Sequence, residues 1–166
     1  GDKIIARNTR FISRLNLCPF VGGKRVLFDR CHFESTDDAL CGTAVYLNCS
    51  LDFYSSKPFY WTRGTGAIFL NCDIKSFTTS NQFFTKANGQ LAVINTRFSA
   101  ENNIYLGWND NLPKETRNYQ YQVSLNKQTV FIEKNNPTST IDMSNLAVLD
   151  AYLFNYEGKT IYNTSN

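Results

Sequence analysis

A motif that recurs five times in the first hundred residues limits the folds open to this chain. Each copy has a short apolar run, usually an Asn, then Cys or Thr, one polar residue and a large apolar residue. The copies are residues 4–11, 26–33, 44–51, 67–74 and 91–98. They follow one another at intervals of 18 to 24 residues, which is the length of one coil of a β-solenoid.

The chemistry of the motif favours a corner between two strands. Four copies place Asn at the same point (Asn8, Asn48, Asn71 and Asn95), and Asn tolerates the left-handed backbone that a sharp bend requires. The alternation that follows predicts a strand with one buried face. Helical repeats are excluded because no apolar period of 3.6 residues runs through this part of the chain. We therefore predict an all-β fold, a parallel β-helix of about five coils, in residues 1–100.

The pattern stops after residue 100, so residues 101–166 are expected to pack on the β-helix or cap its open end. We expect a long loop over residues 100–125, a strand over 129–133, a turn at 135–137 and one short helix over 144–153, with Ser144 as its N-cap. Because the chain starts inside a coil, we expect it to be a piece of a longer protein.

Composition and charge exclude several function classes. Apolar residues make up 42% of the chain and charged residues 19%, which is typical of a globular protein. No apolar run approaches the length of about 18 residues that a membrane span needs. The net charge is +3 and Lys and Arg do not cluster, so nucleic acid is not an expected partner. Five cysteines without a CxxC pair favour free, buried thiols over a disulfide framework or a zinc site.

In the stretch between Cys31 and Cys49, Cys41-Gly42-Thr43 is followed by an apolar run and Asn48-Cys49. This order resembles the central motif of the pectin methylesterase family, and the resemblance is well marked over residues 25–74. It implies a right-handed parallel β-helix that removes methyl esters from polygalacturonate without a metal cofactor. Aligned on the Gly and the two cysteines, Asp38 falls on the nucleophilic aspartate of the family.

The rest of the family's machinery differs in this chain. Asn16 stands where the resemblance places the general acid/base aspartate, and Leu106-Gly107-Trp108 lacks the Arg-Pro of the family's Leu-Gly-Arg-Pro-Trp motif. Arg63 is the candidate to replace that arginine. The leaving methoxide needs a proton donor, so one carboxylate alone does not support the two-carboxylate route. Whether the chain is an enzyme therefore stays open.

Aromatic and basic residues supply candidate substrate-binding positions. Tyr60 and Trp61 lie in the coil after Asp38, where an exposed ring suits contact with a sugar. Trp108 is predicted to be an exposed platform in a loop. Lys86, like Arg63, could bind uronate carboxylates. The same residues also fit the alternative of sheet or core aromatics and solvated charges.

Three hypotheses follow. The first is a carbohydrate-active module of pectinesterase ancestry that binds or de-esterifies polygalacturonate, with no cofactor. The second is a pectate-lyase-like enzyme, which would need Ca²⁺ held by several carboxylates. The third is a non-catalytic structural or glycan-binding segment of a large surface protein. An acidic plant polysaccharide as partner implies a secreted, periplasmic or cell-surface location.

Overall fold

The structure is a computed structural model that describes residues 1–15, 17, 19–20, 22–23, 25–35, 44–59, 67–79, 81–85, 91–109, 118–132, 138–140, 155–156 and 159–160. Within these residues the chain forms sixteen strands and no helix. Most strands pair in parallel with the equivalent strand of the next coil. The predicted parallel β-helix is thereby confirmed, and no helix long and apolar enough to cross a membrane occurs in the same residues.

Three ladders of parallel strands run along the solenoid. The first ladder contains β1 (Ile4–Arg7), β3 (Val26–Asp29), β5 (Ala44–Leu47), β7 (Ala67–Leu70), the first parts of β10 (Leu91–Ala100) and β12 (Asn118–Leu125), and β14 (Thr138–Thr140). The second ladder contains β2 (Arg10–Ser13), β4 (His32–Ser35), β6 (Ser50–Phe53), β8 (Asp73–Ser76) and the last parts of β10 and β12. The third ladder contains β9 (Asn81–Thr85) and β11 (Tyr105–Asn109). The short strand β13 (Gln128–Thr129) pairs antiparallel with β12, and β15 (Asn155–Tyr156) pairs antiparallel with β16 (Lys159–Thr160).

A column of left-handed residues separates the first ladder from the second. This corner column consists of Asn8, Arg30, Asn48, Asn71, Asn95 and Gln122, all with φ between 47° and 54°. The predicted role of the repeated Asn is confirmed. The side chains also bond along the column, because Asn71 Nδ2 donates a hydrogen bond of 2.6 Å to Asn48 Oδ1.

The residue after the corner is buried in the five coils that follow the first, whereas Thr9 of the first coil is exposed. Cys31, Cys49 and Cys72 occupy this position, and their thiols are free and buried. The Cys49 thiol donates to the carbonyl oxygens of Phe28 and Leu47, both at 3.3 Å. Burial raises the pKa of the Cys31 thiol, which favours its protonated form. The expectation of buried free thiols is confirmed for these three, whereas Cys18 and Cys41 lie outside the described residues.

The outer face of the first ladder is buried as well as its inner face. All four residues are buried in β3, in β5 and in β7, as expected for strands with continuous apolar sequence. Their outward side chains form a second apolar cluster, which contains Leu27, Val45, Leu47, Ile68, Leu70, Ala92 and Ile94. In the described part of the chain, the polar sheet face that meets solvent therefore belongs to the second ladder.

The prediction that the coils end at residue 100 is wrong, and so is the long loop over residues 100–125. β12 pairs in parallel with β10, and β11 pairs with β9. This coil lacks the motif because Gln122 and Val123 stand where four of the other coils carry Asn followed by Cys or Thr. Of the strand predicted over residues 129–133, the described residues 130–132 are not in a strand and Thr129 ends β13 (Gln128–Thr129), while residue 133 lies outside the described residues. The turn at 135–137 and the helix over 144–153 lie outside the described residues.

Candidate functional site

The outward side chains of the second ladder form the outer polar face. Strand alternation places every second residue of β2, β4, β6, β8, β10 and β12 on this face. The parallel register stacks these residues into two columns, one of Arg10, His32, Ser50, Asp73, Arg97 and Ser124, the other of Ile12, Glu34, Asp52, Lys75 and Ser99. Residues distant in sequence thus lie about 4.8 Å apart on neighbouring strands.

Three titratable side chains meet at one point of this face, and we call them the His32 cluster. His32 Nε2 lies 3.7 Å from Glu34 Oε2 and 3.8 Å from Asp52 Oδ2. Each side chain is half-buried. On the other side of the imidazole, His32 Nδ1 is 2.7 Å from Ser50 Oγ. The hydroxyl therefore holds the ring so that Nε2 faces both carboxylates.

A groove of about 620 Å³ lies next to the cluster on the outer polar face. Its lining includes Asp52 from the cluster and the cations Lys75, Arg97 and Lys127. Arg97 Nε donates to Asp73 Oδ1 at 2.6 Å, and Arg97 Nη1 donates to Asn71 Oδ1 at 3.1 Å. Both partners of the ion pair are exposed, so it contributes little to stability. With Arg97 and Asp73 paired, the remaining charges of the lining are the two cations Lys75 and Lys127 and the carboxylate of Asp52.

An exposed pair of aromatic rings lies beside Lys75, one of the residues that line the groove, and we call this pair the aromatic rim. The rings of Tyr54 and Phe77 stack with centroids 4.4 Å apart and an angle of 6° between their planes. They are 39% and 37% exposed. Lys75 Nζ lies 4.9 Å from the centre of the Phe77 ring, within the range of a cation–π interaction.

The carboxylates of the His32 cluster affect the pKa of Tyr54 in the aromatic rim. The pKa of the Tyr54 phenol is raised, first by partial desolvation and then by the carboxylates of Glu34 and Asp52. Both effects disfavour the phenolate. The cluster and the rim are therefore electrostatically coupled neighbours.

Trp108 is the one predicted site residue that the structure describes, and its predicted role is wrong. Its side chain is 0% exposed and its ring stacks on Phe84 with centroids 5.9 Å apart. The register of β11 on β9 turns Leu106 and Trp108 inward and leaves Tyr105 as the exposed ring of this strand. A buried indole cannot serve as a platform for a sugar.

The other six predicted site residues lie outside the described residues. They are the candidate catalytic residues Asp38, Arg63 and Asn16 and the candidate substrate-binding residues Tyr60, Trp61 and Lys86. Their roles stay predictions.

Glu34 and Asp52 were missed by the sequence analysis, although their signal was present in it. The repeat interval of 18 residues between the second and third copies stacks His32 on Ser50 and Glu34 on Asp52. His32 occupies the polar position of the second copy of the motif. Comparing outward positions between successive coils would have revealed that an imidazole and two carboxylates converge.

Comparison of the chain with protein-family models, with curated proteins and with solved structures finds no match. The functional assignment therefore depends on the geometry of the outer polar face and on the resemblance described above.

Proposed function

We propose that this chain is a carbohydrate-binding β-helix module that holds an acidic polysaccharide in the groove of the outer polar face. One observation carries the proposal: the aromatic rim lies against Lys75, which lines a groove together with Arg97 and Lys127. The resemblance to pectin methylesterases suggests polygalacturonate as the polymer. A module for this polymer would be secreted, periplasmic or at the cell surface.

The chemistry of the groove suits a uronate chain. The C–H faces of sugar rings are apolar and pack against aromatic side chains, while their carboxylates pair with Lys and Arg. Because the charged contacts are exposed, binding should weaken as the salt concentration rises. Methyl esterification removes the negative charge of the uronate, so the de-esterified polymer should bind more tightly than the esterified one.

Calorimetric titration with polygalacturonate oligomers tests this proposal. Phe77→Ala should weaken binding about three- to tenfold, since an aromatic contact contributes about 0.5–1.5 kcal/mol. Lys75→Gln should weaken binding and reduce its dependence on salt. Tyr105→Ala, an exposed ring on the third ladder, and Lys3→Gln, an exposed lysine before β1, are the matched controls and should bind as the parent chain does. If the variants and their controls lost the same amount of affinity for the oligomers, a binding site in the groove would be refuted.

De-esterification is a second proposal, and the resemblance supports it through Asp38. Release of methanol from methylated pectin, lost in Asp38→Ala, would establish it, and Asn16→Ala and Arg63→Ala would test the two other candidate catalytic residues. Formation of an unsaturated product that requires Ca²⁺ would instead indicate the lyase chemistry. Binding with neither activity would leave the non-catalytic module, with Tyr60, Trp61 and Lys86 as further candidate contacts.

A further inference from the structure

We propose that the His32 cluster is a binding site for a divalent transition-metal ion of the zinc class. The ligands are Nε2 of His32 and one carboxylate oxygen each of Glu34 and Asp52, and these three atoms lie within 4.8 Å of one another. This site shares Asp52 with the lining of the groove but uses neither Phe77 nor Lys75, so failure of the chain to bind glycan would leave the metal proposal untouched.

The distances fit atoms that share a cation better than atoms that share a proton. At 3.7 and 3.8 Å, Nε2 is too far from either carboxylate for a hydrogen bond, which requires about 2.7–3.2 Å. Tetrahedral ligands about 2.1 Å from Zn²⁺ are separated by about 3.4 Å. The site would form when the two carboxylate side chains rotate so that the three ligand atoms, now within 4.8 Å of one another, approach this separation. The same distances argue against a Ser–His–acid relay, because neither acid is hydrogen-bonded to the imidazole.

Ser50 forms a hydrogen bond with the imidazole nitrogen that would not bind the metal, as is usual for metal-bound histidines. An imidazole that binds a metal through one nitrogen normally uses the other nitrogen in a hydrogen bond, which fixes its tautomer and orientation. The contact of 2.7 Å between His32 Nδ1 and Ser50 Oγ does this and directs Nε2 toward the carboxylates.

The charge balance of the cluster also favours a cation. Among the described residues, the only ion-pair contacts of Glu34 and Asp52 are with His32, which is charged only when protonated. Lys75, the neighbour of Asp52 in the ladder, has its ammonium group over the Phe77 ring. Within the described part of the chain, these two neighbouring carboxylates thus have no permanently charged partner.

The ligand types select the class of metal. An imidazole nitrogen suits Zn²⁺, Co²⁺, Ni²⁺ or Cu²⁺, whereas Ca²⁺ and Mg²⁺ prefer oxygen ligands alone and in larger number. Three protein ligands leave one tetrahedral position for water or another small ligand.

Calorimetric titration of the whole chain with ZnCl₂ tests the site, with CaCl₂ and MgCl₂ as comparisons. We expect one Zn²⁺ per chain, bound more tightly than either comparison ion. Ser50→Ala should weaken Zn²⁺ binding about 10- to 100-fold, the usual effect of losing an outer partner, and His32→Gln, Glu34→Gln and Asp52→Asn should each weaken it further. Glu101→Gln, which changes an exposed acid outside the cluster, is the control and should bind as the parent chain does. Circular dichroism should show the same β spectrum for all variants.

Two spectroscopic measurements identify the ligands directly. The chain has one histidine, so its imidazole proton resonances report on His32 alone and should shift on addition of Zn²⁺. Co²⁺ should give d–d absorption without a thiolate charge-transfer band. The proposal is overturned if Zn²⁺ binds no more tightly than Ca²⁺, if His32→Gln binds as the parent does, or if a thiolate band places the metal on cysteine.

Discussion

Exchanging Asn and Gln in the corner column, in both directions, tests whether left-handed geometry at these positions stabilises the solenoid. Asn71 and Gln122 occupy equivalent corners, with φ values of 54° and 50°. We expect Asn71→Gln to destabilise the fold and Gln122→Asn to stabilise it. Both variants exchange Asn and Gln, in opposite directions. An effect that depends only on the residue type, and not on its position, should therefore have the opposite sign in the two variants.

The structure provides the expected magnitudes. A left-handed L-residue costs about 1–2 kcal/mol, of which Asn avoids a part, so we assign about 0.5–1 kcal/mol to the exchange itself. Asn71 also makes two side-chain hydrogen bonds, to Asn48 and from Arg97, and each adds about 0.5 kcal/mol at an exposed site. Asn71→Gln should therefore lower the free energy of unfolding by about 1.5–2 kcal/mol. Gln122→Asn should raise it by about 0.5–1 kcal/mol, because the Gln122 contact with the Tyr121 hydroxyl is long, at 3.5 Å.

Urea unfolding followed by circular dichroism measures both changes. Asn71→Gly removes the side-chain hydrogen bonds but keeps a residue that adopts the left-handed conformation freely. Its loss should combine about 1 kcal/mol from the hydrogen bonds with about 0.4–1 kcal/mol from the greater freedom of glycine in the unfolded chain. The reasoning is refuted if Asn71→Gln and Gln122→Asn shift stability in the same direction.

Two further predictions concern aromatic residues. Replacing Glu34 by Gln and Asp52 by Asn together should lower the pKa of Tyr54, because two negative charges that disfavour the phenolate are removed. The pKa should stay above the usual range for tyrosine, since desolvation persists. ¹³C NMR of labelled tyrosine measures this pKa, and an unchanged value would contradict the prediction. Trp108→Ala should lower the free energy of unfolding by about 3–5 kcal/mol, as expected for a fully buried indole. The exposed Tyr105→Ala should change it by only about 0.5 kcal/mol, and similar losses in urea unfolding for the two variants would contradict the burial of Trp108.

Much of the fold could be predicted from local chemistry. The repeated Asn identified the corner because few residues accept positive φ, and the polar residue two places later identified the outward side of the following strand. Both inferences use only a residue and its near neighbours. The coil that contains Gln122 and Val123 escaped detection for the same reason: its backbone bends as the others do, but its side chains do not carry the motif.

The sequence alone determined the coil, its corner and the alternation of inward and outward residues in the motif strands, because steric limits on each backbone act over a few residues. The tertiary structure decided which outer face is polar and solvent-exposed, since the outward residues of the first ladder are buried in a second apolar cluster. It also turned Trp108 into the core, through the pairing of β11 with β9. The His32 cluster likewise exists only through register, which stacks β4 on β6 and brings side chains 18 residues apart within reach of one ion.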